Sequence, residues 1–300
     1  MKKVLSLVLV LTLVLGSFSF AFAVPNDVEG TDYESAVTRL MAVGVIDGYD
    51  DGTFKPEKTI TRAEFAKLII VSLGLEDAAK YGASNSNFTD VVGHWAAGYI
   101  NMAAAEGIVN GMGDGTFSPD ATVTFEQAVT MTVRALGYEP AITGGYPAGY
   151  LSQANKIDLT DDVDGTVGAP ASRGIVAMLV DNAIDIPLMI QQGYGDEATY
   201  VISGEDDTDE QTLLVDRLDA DKDDYTVTDI PRTEDDLEDN EVVLSDGDTY
   251  EVLDGFNFEG VYGAEIEAII IDDVIVSYSL NDDVYFDAIE YDDAELTLIE

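Results

Sequence analysis

The stretch G-Y-D-D-G-T-F-K-P at residues 48–56 recurs as G-M-G-D-G-T-F-S-P at residues 111–119, so each position is repeated 63 residues later. The same spacing relates Leu73-Gly74 to Leu136-Gly137. A third, degraded copy is indicated by D-G-T at residues 164–166. One unit of this length is too small to bury its own apolar face, so we expect three units to pack around a shared axis.

Each unit is predicted to be a helix, a loop and a second helix. In the first unit a helical apolar pattern precedes Gly44, which can end a helix in a left-handed conformation. A second apolar face ends at Gly74, and the loop between them contains turn residues. The predicted units span residues 24–87, 88–143 and 144–189, of which the third is degenerate.

A helix-capping signal precedes each second helix. The residues predicted to cap are Thr61 with Glu64, Thr124 with Gln127, and Ser172. Capping contributes on the order of 1 kcal/mol at each helix end. It does not explain Arg62 or Arg173, because a cation in the first helical turn faces the positive end of the helix dipole.

These motifs resemble the surface-layer homology (SLH) domain, whose pattern runs from D-V-x-x-H-W-A through G-x-x-x-G-Y-x-D-G-T-F-x-P to T-R-A-E. The likeness covers about residues 24–189 and is carried by residues 90–96, 48–56 and 61–64. The resemblance implies a mainly α-helical, pseudo-threefold bundle. It also implies grooves that bind a secondary cell-wall polysaccharide, often one that bears pyruvyl ketals.

Arg62 and Arg173 are the predicted anion ligands of such grooves. A guanidinium beside the free N–H groups of a helix start can bind a carboxylate. Salt screens exposed charges beyond about 8 Å, so a local arginine can act in an acidic protein. The alternative for both residues is a surface ion pair. The second unit has Phe125 at this position, and its site is expected to be weaker or purely structural.

Other predicted polysaccharide-binding residues each have a structural alternative. Trp95 is the only tryptophan, and it either stacks on a sugar face or packs in the core. Tyr146 is predicted to take the aromatic role in the third unit. Asp51, Gly48 and Gly111 either line the grooves or serve turn geometry alone.

Composition and charge narrow the function classes. The chain has no cysteine and one histidine, which removes disulfides and thiol chemistry and argues against a zinc site. Residues 1–23 read as a cleaved signal peptide. A net charge of −45 repels nucleic acid and anionic lipid. We expect a secreted cell-wall protein without membrane insertion, cofactor or specific metal site, although weak Ca²⁺ binding over the acidic surface is expected.

Residues 190–300 are predicted to be an acidic β-rich domain, either a small β domain or an open barrel. Residues 219–223 have the start of a calcium loop, but Asp224 replaces the required glycine, so we predict a solvated turn. The run at residues 294–299 reads as a strand that begins where the sequence stops. We therefore expect this domain to be truncated.

The sequence predicts a multi-domain α+β protein that is not an enzyme and is held non-covalently on the cell wall. Its expected partners are the wall polysaccharide and, in a surface lattice, copies of itself. One alternative is a wall-anchored glycoside hydrolase or other envelope enzyme whose catalytic part lies beyond this chain. Another is a calcium-dependent adhesin.

Overall fold

The computed structural model describes residues 24–82, 86–195, 198–205, 208–234, 236–252, 258–280, 289–292 and 295–298. The predicted signal peptide lies outside these residues. Helices dominate the first half and strands the second, so the fold is mixed α and β, as predicted.

The described part of the first half contains seven α-helices. They are α1 (Glu34–Ala42), α2 (Arg62–Ser72), α3 (Glu76–Tyr81), α4 (Ala97–Ala105), α5 (Phe125–Ala135), α6 (Ala148–Lys156) and α7 (Arg173–Asp185). The pairs α1 and α2, α4 and α5, and α6 and α7 correspond to the three predicted units, and α3 is an addition to the first. Gly44 and Gly107 follow α1 and α4 with φ of 71° and 74°, the left-handed conformation expected at a helix end.

The aspartate that opens each of the first two units fixes the loop of the same unit. The Asp27 carboxylate accepts a hydrogen bond from the N–H of Phe54 at 2.7 Å. Asp90 accepts the equivalent bond from the N–H of Phe117 at 2.9 Å. Both phenylalanine side chains are buried. The repeated motif therefore gives the same loop geometry in both units.

Three short extended segments before α2, α5 and α7 meet in a closed ring of backbone hydrogen bonds. The N–H of Ile60 donates to the carbonyl of Ala171 at 3.3 Å, Ala171 donates to Val123 at 2.9 Å, and Val123 donates to Ile60 at 3.0 Å. All three side chains are buried. Each unit thus holds one donor and one acceptor of the ring, and the ring needs all three.

The hydrophobic core of the helical half extends past the boundary predicted at residue 190. The chain continues through β1 (Met189–Gln192), β2 (Thr199–Ile202) and α8 (Leu213–Arg217). Leu213, Leu214 and Ala220 lie in the same buried cluster as the helices. Ile269 of β6 and Val276 of β7 belong to this cluster as well, so the helical core reaches into the barrel. The pattern of apolar residues changes from helical to strand-like near β1, whereas the core of the helices continues further along the chain.

Five strands form a closed barrel in the order β3-β4-β5-β7-β6, where the earlier expectation allowed an open one. They are β3 (Asp221–Asp229), β4 (Glu241–Leu244), β5 (Thr249–Val252), β6 (Glu265–Ile271) and β7 (Val274–Leu280). β6 returns to lie beside β3, which is the Greek-key order. A parallel pairing of β5 with β7 closes the barrel. Closure leaves these strands without a free edge.

The predictions for residues 219–223 and 294–299 have different outcomes. Residues 221–223 begin β3, so the predicted solvated turn is wrong there; pairing with β6 supplies their backbone partners, and the turn is confined to Asp219, with φ of 62°. The predicted last strand corresponds to β9 (Glu295–Leu298), which pairs with β8 (Ile289–Asp292).

Glycines at the ends of two second helices lie at the junction between the halves. The N–H of Met189 donates to the carbonyl of Leu136 at 2.9 Å, and a Cβ placed on Gly137 would lie 2.2 Å from the Met189 carbonyl oxygen. A Cβ on Gly74 would lie 2.4 Å from the carbonyl oxygen of Arg217. The chain that follows the repeats therefore packs directly on the ends of α2 and α5.

Candidate binding grooves between the repeats

Arg62 and Arg173 occupy equivalent positions and each reaches into a neighbouring unit. The Nε of Arg62 donates to the carbonyl of Phe117 at 2.9 Å, and its guanidinium lies 4.4 Å from the centre of that ring. The Nε of Arg173 donates to the carbonyl of Phe54 at 2.8 Å, and its guanidinium lies 4.3 Å from that ring. Both arginines therefore bind the loop of a neighbouring unit, whether or not a ligand is present.

Neither arginine forms the surface ion pair that was the alternative interpretation. Within the described residues, the remaining polar contacts of both guanidinium groups go to uncharged oxygens. Arg62 donates to the side-chain amide oxygen of Gln127 at 3.1 Å, and Arg173 donates to the carbonyl of Asp47 at 3.1 Å. Burial lowers the pKa of Arg62 from its ordinary value. Each positive charge thus lacks a paired carboxylate, as an anion ligand requires.

The third interface between units has no arginine, because Phe125 stands at that position, and the neighbouring Glu126 accepts a bond from the N–H of Gly168 at 2.7 Å. A Cβ on Gly165 would lie 2.1 Å from the Phe125 ring. Gly165 does not have the positive φ of Gly52 (77°) and Gly115 (89°), its counterparts in the repeat. The third D-G-T loop therefore has a different conformation, and its glycine serves close packing.

Replacing Gly165 by alanine should lower the free energy of unfolding by about 1–3 kcal/mol, because the added methyl group overpacks the Phe125 ring. Urea unfolding measures this. Gly145→Ala is the matched control, because it has open space and no positive φ. Phe125→Leu should recover part of the loss in the Gly165→Ala background. Equal stability of the two alanine variants would contradict the packing interpretation.

The groove beside Arg62, here the Arg62 groove, is a cleft of about 630 Å³. It lies between α2, α5 and the segment that leads into the third unit. Of the residues predicted from sequence, it brings together Arg62, Gly111, Gln127 and Tyr146. It also contains a set that the sequence did not indicate: Met112, Arg134, Glu139 and Tyr150.

Arg134, Glu139 and Tyr150 form a connected polar network on one wall of the Arg62 groove. Arg134 pairs with Glu139 at 2.9 Å and donates to the Tyr150 hydroxyl at 2.6 Å, which donates to Glu139 at 2.7 Å. Burial alone would raise the pKa of Glu139, but hydrogen bonds from Arg134 and Tyr150 outweigh it and hold the pKa below its usual value. Glu139 lies 63 residues after Glu76, which accepts an equivalent bond from Tyr99 at 2.9 Å, whereas Arg134 stands where the first unit has Val71.

The groove beside Arg173, here the Arg173 groove, is a crevice of about 50 Å³, with room for one or two water molecules. Three cations surround Tyr49 at its outer side, and we call them the Tyr49 cluster. Lys55 Nζ lies 4.0 Å, Arg173 Cζ 5.0 Å and Lys58 Nζ 5.4 Å from the ring centre. Lys58 also donates to the Tyr49 hydroxyl at 2.9 Å, and this bond raises the pKa of Lys58. Lys55 also pairs with Asp51 at 3.0 Å, so Arg173 and Lys58 are the cations of this cluster without an ion pair among the described residues.

Trp95 lies at the surface, so the core-packing alternative does not apply. Its side chain is 59% exposed and its ring contacts that of His94 at 5.5 Å. His94 Nδ1 accepts from the N–H of Ala96, which leaves the Nε2 proton to face Asp120 at 3.3 Å. The described residues that line the two grooves do not include Trp95. Its sugar contact stays a prediction.

The other predicted groove residues divide between packing and turn geometry. Gly111 is required for space, because a Cβ there would lie 2.5 Å from the Phe88 ring. Gly48 has ordinary clearance. Asp51 accepts from the N–H and hydroxyl of Thr53, and bonds from Thr53 and Lys55 lower its pKa to about 2. Asp51 thus stabilises the loop that carries the Tyr49 cluster.

The predicted caps lie at the starts of α2, α5 and α7. Thr61 and Glu64 make both bonds of a capping box, at 3.1 and 2.7 Å. Ser172 accepts from the N–H of Ile175 at 3.3 Å. The N–H of Thr124 donates to the side chain of Gln127 at 3.4 Å, and the same amide oxygen receives the bond from Arg62. The cap of α5 is therefore coupled to the Arg62 groove.

The part of the chain that the structure describes lacks two kinds of feature. It contains no helix long and apolar enough to cross a membrane. It also contains no group of three or more acidic or histidine side chains arranged to hold a metal ion. Weak Ca²⁺ binding at the surface stays a prediction.

Comparison with known proteins identifies similar repeats and similar longer chains. The family model described as the S-layer homology domain matches residues 26–66 and 87–129. The chain is 36% identical over 301 residues to the middle cell wall protein of Brevibacillus brevis, covering 91% of this chain and 28% of that protein. It is 35% identical over 300 residues to the surface layer protein of Brevibacillus choshinensis, covering 91% of this chain and 26% of that protein.

Shorter matches link the chain to proteins with other printed functions. A cellulosome-anchoring protein of Acetivibrio thermocellus is 35% identical over 106 residues, covering 35% of this chain and 24% of that protein. Other relatives that match less than half of this chain are named as a cell wall amidase and an endoglucanase. The chain spans about a quarter of the length of the relatives that it matches over most of its own length.

Proposed function

The chain carries S-layer homology domains and is a protein of the bacterial cell surface, and we propose that its repeats anchor it by binding a cell-wall polysaccharide at the Arg62 and Arg173 grooves. The observation that carries this proposal is the pair of equivalent arginines, which lie at interfaces between units and lack a carboxylate partner within the described residues. The relatives named as surface layer and cellulosome-anchoring proteins support the same role.

The three units are further proposed to be related by a pseudo-threefold axis through the backbone ring. Support comes from the cyclic donor and acceptor order of Ile60, Ala171 and Val123. It also comes from the equivalent bonds of Arg62 and Arg173 to neighbouring loops. On this arrangement two interfaces carry a cation, and the third is closed by Phe125.

The two grooves suit different parts of one polymer. The Arg62 groove has room for a sugar ring, and it offers the exposed ring of Tyr146 together with the hydrogen-bonding groups of Gln127 and Arg134. The Arg173 groove is too small for a sugar, but the Tyr49 cluster in front of it fits a carboxylate, such as that of a pyruvyl ketal. A pyruvylated polysaccharide satisfies both surfaces.

Retention on purified cell-wall sacculi tests the proposal. Lys55→Gln with Lys58→Gln should weaken retention at least tenfold, because the variant removes two of the three cations around Tyr49 and leaves Arg173 to hold the Phe54 loop. Arg173→Ala is a poorer test, because it also removes the bond to the Phe54 carbonyl. Weaker retention could then result from either lost binding or lost structure.

Lys80→Gln with Lys156→Gln is the matched control, because both side chains are exposed and lie outside the grooves. It changes the net charge by the same amount and should leave retention unchanged. Sacculi stripped of their secondary polymer should retain none of the proteins. Equal retention on stripped walls, or equal loss in the two double variants, would sink the proposal.

We also propose that copies of the protein are partners of one another. The relatives named as wall and surface layer proteins support a structural role in which copies of the protein meet in a lattice. Relatives named as enzymes show that such repeats also accompany catalytic chains. For this chain we propose the structural, non-enzymatic role, because its longest matches are to the wall and surface layer proteins.

A further inference from the structure

One wall of the Arg62 groove contains a chemically labile dipeptide. Asn110 lines the cleft together with Arg62, and Gly111 follows it directly. This is the one asparagine-glycine pair in the whole sequence. The Asn110 side chain is exposed and has no hydrogen-bond partner among the described residues. Asparagine is a thermolabile residue, and glycine after it leaves the backbone nitrogen sterically open.

The reaction available to this pair is deamidation through a cyclic imide. The backbone nitrogen of Gly111 attacks the side-chain carbonyl carbon of Asn110 and forms a new C–N bond. The C–N bond of the side-chain amide breaks, and ammonia leaves with the proton that the Gly111 nitrogen gives up. Water then opens the five-membered ring at either carbonyl and produces aspartate or isoaspartate. Water is the single co-reactant, and no oxidation or reduction occurs.

The local structure leaves the attacking nitrogen free. Residues 109–112 lie outside helices and strands, and the N–H of Gly111 makes no hydrogen bond among the described residues. Ring closure therefore breaks no such bond. The glycine cannot be exchanged for a bulkier residue, because a Cβ on Gly111 would lie 2.5 Å from the Phe88 ring and 2.6 Å from the Thr116 carbonyl oxygen. Packing thus requires the residue that makes Asn110 labile.

The first repeat shows that the product fits the loop. Asp47 stands at the position equivalent to Asn110, and it is also followed by glycine. The N–H of Tyr49 donates to the Thr53 carbonyl at 2.8 Å, and the equivalent bond of the second unit has the same length. An aspartate at residue 110 is therefore compatible with this loop. It adds a negative charge to the cleft that contains Arg62, and that charge repels an anionic ligand.

We propose that Asn110 deamidates in the folded protein and that the new carboxylate weakens binding at the Arg62 groove, so that attachment declines as the protein ages. The modification itself depends on no ligand. Its effect on attachment rests on the proposed function, and the two parts are tested by separate measurements.

Mass spectrometry of peptides from the full chain, incubated at mildly alkaline pH, tests the modification. The peptide with residue 110 should gain the mass difference between an amide and an acid, and it should separate into aspartate and isoaspartate forms. Asn101 and Asn182 are internal controls, because each lies in a helix and donates a side-chain bond to a carbonyl. Deamidation of Asn110 no faster than that of these two residues would overturn the proposal.

Retention on cell-wall sacculi tests the effect on attachment. Asn110→Asp, and wild type after incubation, should be retained about threefold less than fresh wild type. Asn110→Gln keeps the residue uncharged and should lose nothing on incubation. Asn155→Asp is the matched control, because it adds the same charge at an exposed residue outside both grooves. Its retention should equal that of fresh wild type.

Two outcomes separate this proposal from the one on which it rests. If wild type is retained but Asn110→Asp is retained equally well, the effect of deamidation on attachment is overturned and the anchoring proposal stands. If fresh wild type is not retained at all, the anchoring proposal fails, and the effect on attachment fails with it. The mass measurement decides the modification in either case.

Discussion

Replacing Gly137 by alanine should lower the free energy of unfolding by about 2–5 kcal/mol and loosen the contact between the helical half and the segment that follows it. Gly137 has φ of 84°, a conformation that costs an L-residue about 1–2 kcal/mol. The added methyl group would also lie 2.2 Å from the carbonyl oxygen of Met189. Because this neighbour is backbone, β1 must move away, at a further cost of about 1–3 kcal/mol.

Gly107→Ala separates the two costs of the Gly137 substitution. Gly107 also ends a helix with positive φ, at 74°, but a Cβ there meets nothing within 4 Å. It should therefore lose only the conformational part, about 1–2 kcal/mol. Denaturant unfolding of both variants, with hydrogen exchange at Met189, measures the difference. Equal losses would show that the junction contact contributes nothing.

Because of Asp181, the free energy of unfolding should fall as the pH rises from about 4 to 6. Burial raises the pKa of Asp181 from 3.8 to about 6, although Arg39 opposes the shift. Between these values the folded protein binds more protons at this site than the unfolded chain does. The stabilisation is therefore fully present below pH 4, is lost as the pH rises through 6, and amounts to about 3 kcal/mol.

Asp181→Asn should remove this dependence, because the amide stays uncharged across the whole range. The measurement is the difference in unfolding free energy between the wild type and the variant, followed from pH 4 to 7. Asp77→Asn, which removes a charge that is 91% exposed, is the control for the general effect of removing one carboxylate. A flat difference for Asp181→Asn would contradict the assignment.

The sequence predicted the parts of the site that are repeated. The spacing between the two D-G-T-F loops located Arg62, Gly111 and the caps of the second helices. It did not single out Glu139 and Tyr150, although they correspond to the bonded pair Glu76 and Tyr99. Arg134 has Val71 as its counterpart, so repetition alone did not mark the network. It also left the choice between ligand and ion pair open for Arg62. That choice depends on what lies across the interface, which here is the carbonyl of Phe117.

The difference between the two grooves likewise depends on residues that the repeat does not share. Tyr49 and Met112 occupy equivalent positions, as do Lys55 and Ser118. Tyr49 provides an aromatic ring that cations contact, whereas Met112 at the equivalent position provides none. Sequence spacing could not show that Arg173, more than a hundred residues later, completes the cluster around Tyr49.

The amino-acid sequence by itself determined the helix-loop-helix units, their glycine and capping boundaries, most strands of the second half and the likeness to a known family. These features depend on local conformational preference and on periodic burial, which act over a few residues. Only the tertiary structure decided the ring of backbone bonds, the closed barrel, the core that continues past residue 190, and the unequal volumes of the two grooves. Each of these arises from contacts between residues far apart in the chain, where shape and unpaired polar atoms, and not periodicity, determine the outcome.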